Sequence, residues 1–262
     1  RVKISKKKFL KSIKKLDPKV KNAIDYAYNR ILKFHKNQKI KNFKFKDSFN
    51  NLFEYKFLPI ESVGIYVPAN LPSTLLMNAI PARLANVKRI VLASPKQNGN
   101  YNSAVLYAAK KLKINEIYSM GGAQAIASLA YIQKVNKIIG PGNDYVARAK
   151  KEVFGDVGIE GMIAGPSEIT VVADKNTNLN EIITSIIGQA EHDSNSQCIL
   201  ITNNKKLIQS IKKTLKYNLN KLPRKKIAKK SLLKNGLIIK TYNYKQIIDS
   251  INEIAPEHLE LN

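Results

Sequence analysis

The sequence predicts an α/β fold made of two units, each with a parallel sheet, preceded by N-terminal helices. From residue 61 onward, short apolar runs rich in β-branched residues alternate with helical segments, as in strands joined by crossover helices. Glycine-containing turns follow several of these runs, where a strand would pass into a helix. The length of 262 residues is sufficient for about two domains with buried cores.

The first 60 residues are predicted to be mostly helical. Apolar residues recur at spacings of three and four through residues 1–40. Asp17 followed by Pro18 indicates a break, with Asp17 as an N-cap and Pro18 in the first helical position. Residues 41–58 are aromatic and lysine-rich, and this composition favours short strands over helix.

Two series of strands and helices follow. The first series has strands at 63–67, 89–93, 116–120 and 137–139, with helices near 73–86, 101–112, 122–132 and 143–153. The second has strands at 168–173, 197–202 and 236–241, with helices near 179–191, 204–221 and 244–254. Residues 174–178 and 221–234 are expected to be surface connections. The opening helices otherwise lack a sheet, so we expect residues 1–60 and 168–262 to form one discontinuous, incomplete unit and residues 61–167 to form the other.

The composition excludes some classes of protein. There is no apolar run of transmembrane length, so a membrane-spanning protein is not expected, and a single cysteine excludes a disulfide framework. The formal charge is +26, from 45 basic and 19 acidic residues, yet the basic residues include only six arginines, the type best suited to bidentate phosphate and base recognition. We therefore interpret the excess as a solvated lysine surface without a nucleic-acid partner, with a polyanion-binding face as the alternative.

Two of the three histidines lie beside a glutamate after an apolar run. His192 follows Gln189 by three residues, so on a helix both would project from one face and could share a metal ion; the alternative is a favourable histidine contact at a helix C-terminus. Glu257 and His258 follow Pro256, which should place them on a loop leading into a strand, where such a pair suits proton transfer.

Three glycine-containing loops are candidates for holding a phosphate. They span residues 121–124, 140–143 and 164–167, and the first two join a predicted strand to a helix. Neither a GxGxxG fingerprint nor a P-loop occurs, so tight turns between α/β elements are the alternative interpretation.

Seven motifs in a fixed order make the chain resemble the L-histidinol dehydrogenase family along its whole length. They are VGIYVP at 63–68, LMNAIPA at 76–82, GGAQAIA at 121–127, GPGN at 140–143, AGPSE at 164–168, QAEH at 189–192 and PEHL at 256–259. The resemblance implies two Rossmann-like units similar to those of aldehyde dehydrogenases. It also implies oxidation of L-histidinol to L-histidine through the aldehyde, with two NAD in succession and one zinc ion per site, in a cytoplasmic homodimer.

The resemblance also implies a role for each matching residue. Glu257 and His258 match the acid/base pair, and Gln189 and His192 match two zinc ligands that are also close to the substrate. His258 and Ser167 match substrate contacts. The residues that match the NAD contacts are Tyr66, Gln124 and Asn143.

The chain departs from the family pattern in two regions. The loop at 68–72 is contracted and lacks glycine, and the connection from Gln124 to Asn143 is short; both changes should weaken NAD binding. The family's remaining zinc ligands, an aspartate and a histidine, lie beyond the PEHL motif, one of them in the partner subunit. We therefore expect a fragment that lacks the N-terminal start and the C-terminal region, binds zinc weakly and turns over little histidinol; clear NADH formation by the isolated chain would contradict this.

Two alternatives remain at this stage. A decayed, non-catalytic chain could retain the scaffold as a basic polyanion-binding module, and it would show salt-sensitive binding to nucleic acid. An aldehyde dehydrogenase is the nearby enzymatic alternative. It is disfavoured because Cys198 lies within an apolar strand, where it should be a buried hydrophobe and not a reactive thiol on an exposed loop.

Overall fold

The structure is a computed structural model that describes residues 3–160 and 167–262. The chain divides into two compact units, residues 1–163 and residues 164–262. This division differs from the expected one, because residues 3–60 belong to the same unit as the first strand series.

The N-terminal helices α1 (Lys6–Lys14) and α2 (Pro18–Lys36) explain this difference. Their apolar stripes, with Ile13 and Ile24 at the centre, share one buried cluster with the helices that follow, so they need no second sheet. The predicted break is confirmed: Asp17 accepts a hydrogen bond from the Lys19 N–H at 2.7 Å, and Pro18 is the first helical residue.

A two-stranded antiparallel hairpin follows, formed by β1 (Phe43–Lys46) and β2 (Leu52–Tyr55). All eight of its strand residues are exposed. Aromatic rings stack across the strands, with the Phe45 and Phe53 centroids 5.2 Å apart. The predicted short strands are therefore present, but as a separate hairpin and not as part of a larger sheet.

The first unit contains a five-stranded parallel sheet flanked by helices. Its strands are β3 (Ser62–Tyr66), β4 (Arg89–Ala93), β5 (Glu116–Tyr118), β6 (Lys137–Ile139) and β7 (Gly158–Ile159), in the order β5-β4-β3-β6-β7. The helices are α3 (Pro72–Leu84), α4 (Ser103–Lys111), α5 (Gly122–Ala127) with a π-helical turn at Ser128–Ile132, and α6 (Asp144–Glu152). Numbered along this sheet, the order is 3-2-1-4-5, the first five strands of the six-stranded Rossmann order. A Rossmann-like sheet was expected, but the two-residue strand β7 was not predicted.

Both faces of this sheet are covered. Along β3, Val63 and Ile65 lie in the cluster with α1 to α4, whereas Tyr66 lies in the cluster with α5 and α6. Successive side chains of a strand point to opposite faces, so a strand with apolar residues at nearly every position must be buried on both sides. Polar functional groups of this unit are consequently confined to the edges and ends of the sheet.

The second unit contains a four-stranded parallel sheet. Its strands are β8 (Glu168–Val172), β9 (Gln197–Thr202), β10 (Gly236–Lys240) and β11 (Leu259–Leu261), in the order β10-β9-β8-β11. The helices are α7 (Leu179–Ala190), α8 (Lys205–Leu219), α9 (Lys225–Asn235) and α10 (Tyr244–Ile254). The expected strands and helices of the second series are confirmed.

Helix α9 corrects one sequence-based expectation. Residues 221–234 were expected to be a surface connection because seven of them are basic. Instead Ala228 and Ser231 are fully buried, and the Ser231 hydroxyl donates a hydrogen bond to the Ser196 carbonyl at 2.8 Å. The lysines lie on the remaining faces of the helix, so the lysine content concealed a narrow buried stripe.

The strand order of the first unit reverses at β3, which pairs with β4 on one side and β6 on the other. At the carboxyl end of β6, the Gly140 backbone has a φ of 111° and lies against the Tyr66 backbone. A Cβ atom on residue 140 would lie only 2.1 Å from the Tyr66 carbonyl oxygen. Glycine is therefore required at this position by both its dihedral angle and its surroundings.

Among the described helices, none combines the length and the apolar composition that crossing a bilayer requires.

We predict that Gly140→Ala destabilises the protein by about 1–3 kcal/mol, because the new Cβ both strains the backbone and collides with the Tyr66 carbonyl. The matched control is Gly188→Ala in α7, where a Cβ would meet nothing within 4 Å. That substitution should stabilise the protein by about 0.5–1 kcal/mol. Urea unfolding monitored by circular dichroism measures both changes, and equal midpoints for the two variants would contradict the account.

Candidate functional site

Three expected nucleotide contacts lie at the carboxyl edge of the first sheet. Tyr66 is the last residue of β3, Gln124 lies in the first turn of α5 just after β5, and Asn143 precedes α6 just after β6. The carboxyl ends of parallel strands meet at one edge of the sheet, and ligands of open α/β sheets bind there, where the strand order reverses. The structure thus brings the three residues to the expected edge.

Two of these three residues, Tyr66 and Asn143, make local hydrogen bonds. The buried Tyr66 accepts a hydrogen bond from the Gly122 N–H at 3.4 Å, which connects the end of β3 to the start of α5. Asn143 caps α6, its Oδ1 accepting from the Val146 N–H at 3.2 Å. The Gln124 side chain is exposed. Tyr66 therefore retains its hydroxyl hydrogen as a donor, and Asn143 retains its amide NH₂.

An ion pair that was not expected from the sequence lies beneath the 140–143 loop. The Lys150 ammonium donates to the Gly140 carbonyl and pairs with the Glu160 carboxylate. Glu160 Oε2 accepts from the Gly140 N–H at 3.1 Å. Lys150 is 3% exposed and lies one turn after the fully buried Val146 on α6. Its i+4 spacing from Val146, on the apolar face of the helix, was the signal in the sequence that could have predicted its burial.

In the second unit, the expected catalytic pair, Glu257 and His258, and the expected substrate contact Ser167 lie at the amino edge of the sheet. Ser167 immediately precedes β8. The pair formed by Glu257 and His258 immediately precedes β11. The two strands are neighbours and run parallel, with Leu259 opposite Thr170. The expected loop leading into a strand at 256–258 is confirmed.

Glu168, the first residue of β8, holds the Glu257–His258 pair in place. Its carboxylate accepts from the Glu257 N–H at 3.0 Å, and its backbone carbonyl lies 3.1 Å from His258 Nδ1. The Thr170 N–H donates to the His258 carbonyl at 2.8 Å. No role was expected for Glu168 from the sequence; its position directly after Ser167, inside the AGPSE motif, was the only signal.

These contacts determine which nitrogen of His258 is free. A backbone carbonyl can only accept, so Nδ1 must carry the hydrogen in this bond, and Nε2 of the neutral ring retains its lone pair. Glu257 Oε2 lies 3.8 Å from Nδ1, so a carboxylate is adjacent to the same ring. Both side chains are largely exposed, which leaves them accessible to a substrate.

Gln189 lies in the last turn of α7, and His192 lies just beyond the end of that helix. Helix α7 ends at Ala190, and the His192 N–H donates to the Gln189 carbonyl at 3.1 Å in the turn that follows. This i, i+3 hydrogen bond keeps the two residues one turn apart, although His192 lies outside α7. The His192 side chain is exposed, whereas Gln189 Nε2 is buried without a hydrogen-bond partner.

The described residues do not form a zinc site by themselves. In residues 3–160 and 167–262, no group of three or more His, Cys, Asp or Glu side chains is placed to hold a metal ion. Only Gln189 Oε1 and an imidazole nitrogen of His192 could serve as ligands there, and two ligands are fewer than a zinc ion requires.

Two further expectations concern Ser167 and the cysteine. Ser167 is half-buried and its carbonyl accepts from the Gln197 N–H at 3.1 Å, while the rest of its loop, 164–166, lies outside the described residues. Cys198 is 3% exposed within β9, as predicted, and its Sγ lies 3.5 Å from the Ile186 carbonyl oxygen. Burial raises the pKa of its thiol to about 11.

Comparison with known proteins identifies relatives along the whole chain. A family model described as histidinol dehydrogenase matches residues 1–262. The chain is 58% identical over 263 residues to a histidinol dehydrogenase of Pelagibacter ubique (strain HTCC1062), covering 98% of this chain and 61% of the relative. It is 44% identical to a histidinol dehydrogenase of Bacillus licheniformis, covering 98% of this chain and 62% of the relative.

Solved structures also match a histidinol dehydrogenase along the whole chain. The crystal structure of histidinol dehydrogenase from Elizabethkingia anophelis superposes with a TM-score of 0.93 at 37% identity, covering 100% of this chain and 62% of that one. A propionaldehyde dehydrogenase from Clostridium phytofermentans has a TM-score of 0.54 at 12% identity and shares the fold alone. The chain thus spans about three fifths of the length of the relatives that it matches.

We predict that the Cys198 thiol of the folded protein reacts with Ellman's reagent at pH 8 at least about 100-fold more slowly than that of the urea-unfolded protein. The reason is that the thiol is buried and, with its pKa raised, protonated at this pH. Ser48→Cys supplies an exposed thiol in the same chain as the matched control. Labelling of the native Cys198 as fast as of the residue 48 thiol would contradict the prediction.

Proposed function

This chain belongs to the histidinol dehydrogenase family, and on that premise we propose that it acts in the NAD-dependent oxidation of L-histidinol to L-histidine. The observation that carries the proposal is the hydrogen bond from His258 Nδ1 to the backbone carbonyl of Glu168, the first residue of β8. This bond leaves His258 Nε2 available as a base, and the Glu257 carboxylate is adjacent to the same ring. The same proposal includes, on family membership alone, a homodimer that works in the cytoplasm.

The first oxidation requires a base at the alcohol. A hydride can leave the alcohol carbon for the nicotinamide ring only as the hydroxyl proton is removed, and His258 Nε2 is the free lone pair that can accept this proton. The Glu168 carbonyl that accepts from Nδ1 stabilises the resulting imidazolium. The products of this step are histidinal and one NADH.

The second oxidation requires water to add to the aldehyde. Glu257 can activate that water, because its side chain is accessible and its backbone is fixed by Glu168. The hydrated aldehyde then loses a hydride to a second NAD while a base removes the hydroxyl proton, which gives the carboxylate of L-histidine. Two NAD are reduced for each histidinol oxidised.

The nucleotide is proposed to bind at the carboxyl edge of the first sheet. The Tyr66 hydroxyl and the Asn143 amide have donors left over after their structural bonds, and Gln124 is exposed beside them. Helix α3 begins after Leu71 without a side-chain cap, so its free backbone N–H groups also lie after β3. The contracted loop at 68–72 ends at Pro72, the first residue of this helix, and supports a lower affinity for NAD than that of relatives with a longer loop.

Zinc is proposed only as a family property. In the family the ion is expected to hold the substrate, and Gln189 and His192 are the residues of this chain that would contribute to its site. Because the described residues do not complete such a site, no step above is assigned to it.

We predict that these 262 residues support histidinol oxidation when they replace the matching segment of the Pelagibacter ubique relative. His258→Gln in this chimera should lower the rate of NADH formation by about 10²–10⁴-fold, because the base is lost. His35→Gln, at a histidine in α2 of the other unit, is the matched control and should leave the rate unchanged. Glu257→Gln should lower the NADH yield per histidinol from about two toward one, since the hydration step is impaired.

A folded chimera that forms no more NADH than its His258→Gln variant would contradict the proposed function. Equal losses in His35→Gln and His258→Gln would instead contradict the assignment of His258 as the base.

A further inference from the structure

We infer that Lys150 and Glu160 are positioning residues for the nucleotide: together they fix the 140–143 loop in the conformation that presents Asn143 beside Tyr66. The inference rests on the proposed function, since the loop is taken to bind NAD. Neither residue is expected to touch the nucleotide, because both act through the backbone of Gly140.

The ion pair holds both peptide planes that flank the Gly140 Cα. Glu160 accepts from the N–H of the peptide before this atom, and Lys150 donates to the carbonyl of the peptide after it. Because Lys150 and Glu160 also bind each other, neither can move without breaking one of these bonds. The φ and ψ angles of Gly140 are therefore fixed from outside the loop.

External fixation matters most at Gly140, because Pro141 restricts its own φ and Asn143 is held by its capping bond to Val146. Glycine restricts its backbone less than any other residue, and residues 140–143 contain two glycines. The φ of Gly140 is 111°, and its backbone must lie flat against the Tyr66 carbonyl. A small rotation at Gly140 would move Asn143 away from the end of β3.

The burial of Lys150 ties its ammonium group to the 140–143 loop. Its side chain is 4% exposed, whereas that of Glu160 is 32% exposed. A buried ammonium is costly unless it is paired and hydrogen-bonded. In the described part of the chain, Lys150 has the Glu160 carboxylate and the Gly140 carbonyl as partners, so the two bonds that satisfy its charge are those that hold the loop.

The experiment is a titration of NADH, followed by its own fluorescence, into the 262-residue chain and three variants. Lys150→Met removes the charge but keeps a long apolar side chain, and Glu160→Gln keeps an acceptor for the Gly140 N–H. Lys151→Met is the matched control, because Lys151 is the next residue of the same helix and is exposed. The thermal midpoint and the hydrogen exchange of the Gly140 amide are measured for each protein.

We expect Lys150→Met to weaken NADH binding about tenfold or more at a temperature where it remains folded, since the loss of a hydrogen bond to a charged group typically costs about that factor. Glu160→Gln should show a smaller loss, and Lys151→Met none. The Gly140 amide should exchange faster in the first two variants, while amides of the central strand β4 stay protected.

Three results would overturn the inference. A Lys150→Met protein that is less stable but binds NADH as tightly as the parent would show a structural role only. Equal weakening by Lys151→Met would show an effect of net charge and not of the loop. If the parent chain itself binds no NADH, the nucleotide part of the proposed function fails, and the inference fails with it; in the first two results the proposed function stands.

Discussion

The close approach of the Gly140 backbone to the Tyr66 carbonyl, where β3 and β6 separate, is the constraint on which the first unit depends. The sheet is covered on both faces by apolar clusters, so polar chemistry can lie only at its ends. At the carboxyl end, the reversal of strand order beside β3 opens a crevice between two strands. Tyr66 ends β3 and Asn143 follows β6, and Gly140 lies against the Tyr66 backbone at the start of the loop that carries Asn143.

The two units use opposite edges of their sheets. The candidate nucleotide residues follow the strands of the first unit, whereas Ser167, Glu257 and His258 precede the strands of the second. The amino edge offers His258 a specific partner: Glu168 is the first residue of β8, and both its carbonyl and its carboxylate face the segment that leads into β11. The orientation of the imidazole thus follows from the pairing of two neighbouring parallel strands.

Much of the fold could be predicted from the sequence, because its elements have distinct periodicities. The buried strands β3 and β4 are short β-branched runs, and Asp17 with Pro18 is a local signal for a helix start. Helix α9 was missed because its buried stripe is only Ala228 and Ser231 among lysines. The association of α1 and α2 with the first unit was missed because an apolar stripe does not specify which surface it covers.

Site residues that belong to a recognisable motif could be predicted from the sequence. Residues whose role depends on tertiary contacts could not. Glu257, His258 and Tyr66 stand in recognisable motifs and lie at the expected ends of strands. Lys150 is one lysine among many in the sequence, and only the fold shows that its charge is buried against Gly140.

Backbone amide chemical shifts of the ¹⁵N-labelled chain, recorded with and without NAD, test the central claim most directly. The account predicts changes concentrated at residues 66–72, 121–124 and 140–143, at the carboxyl edge of the first sheet; saturable changes that avoid these residues would contradict it.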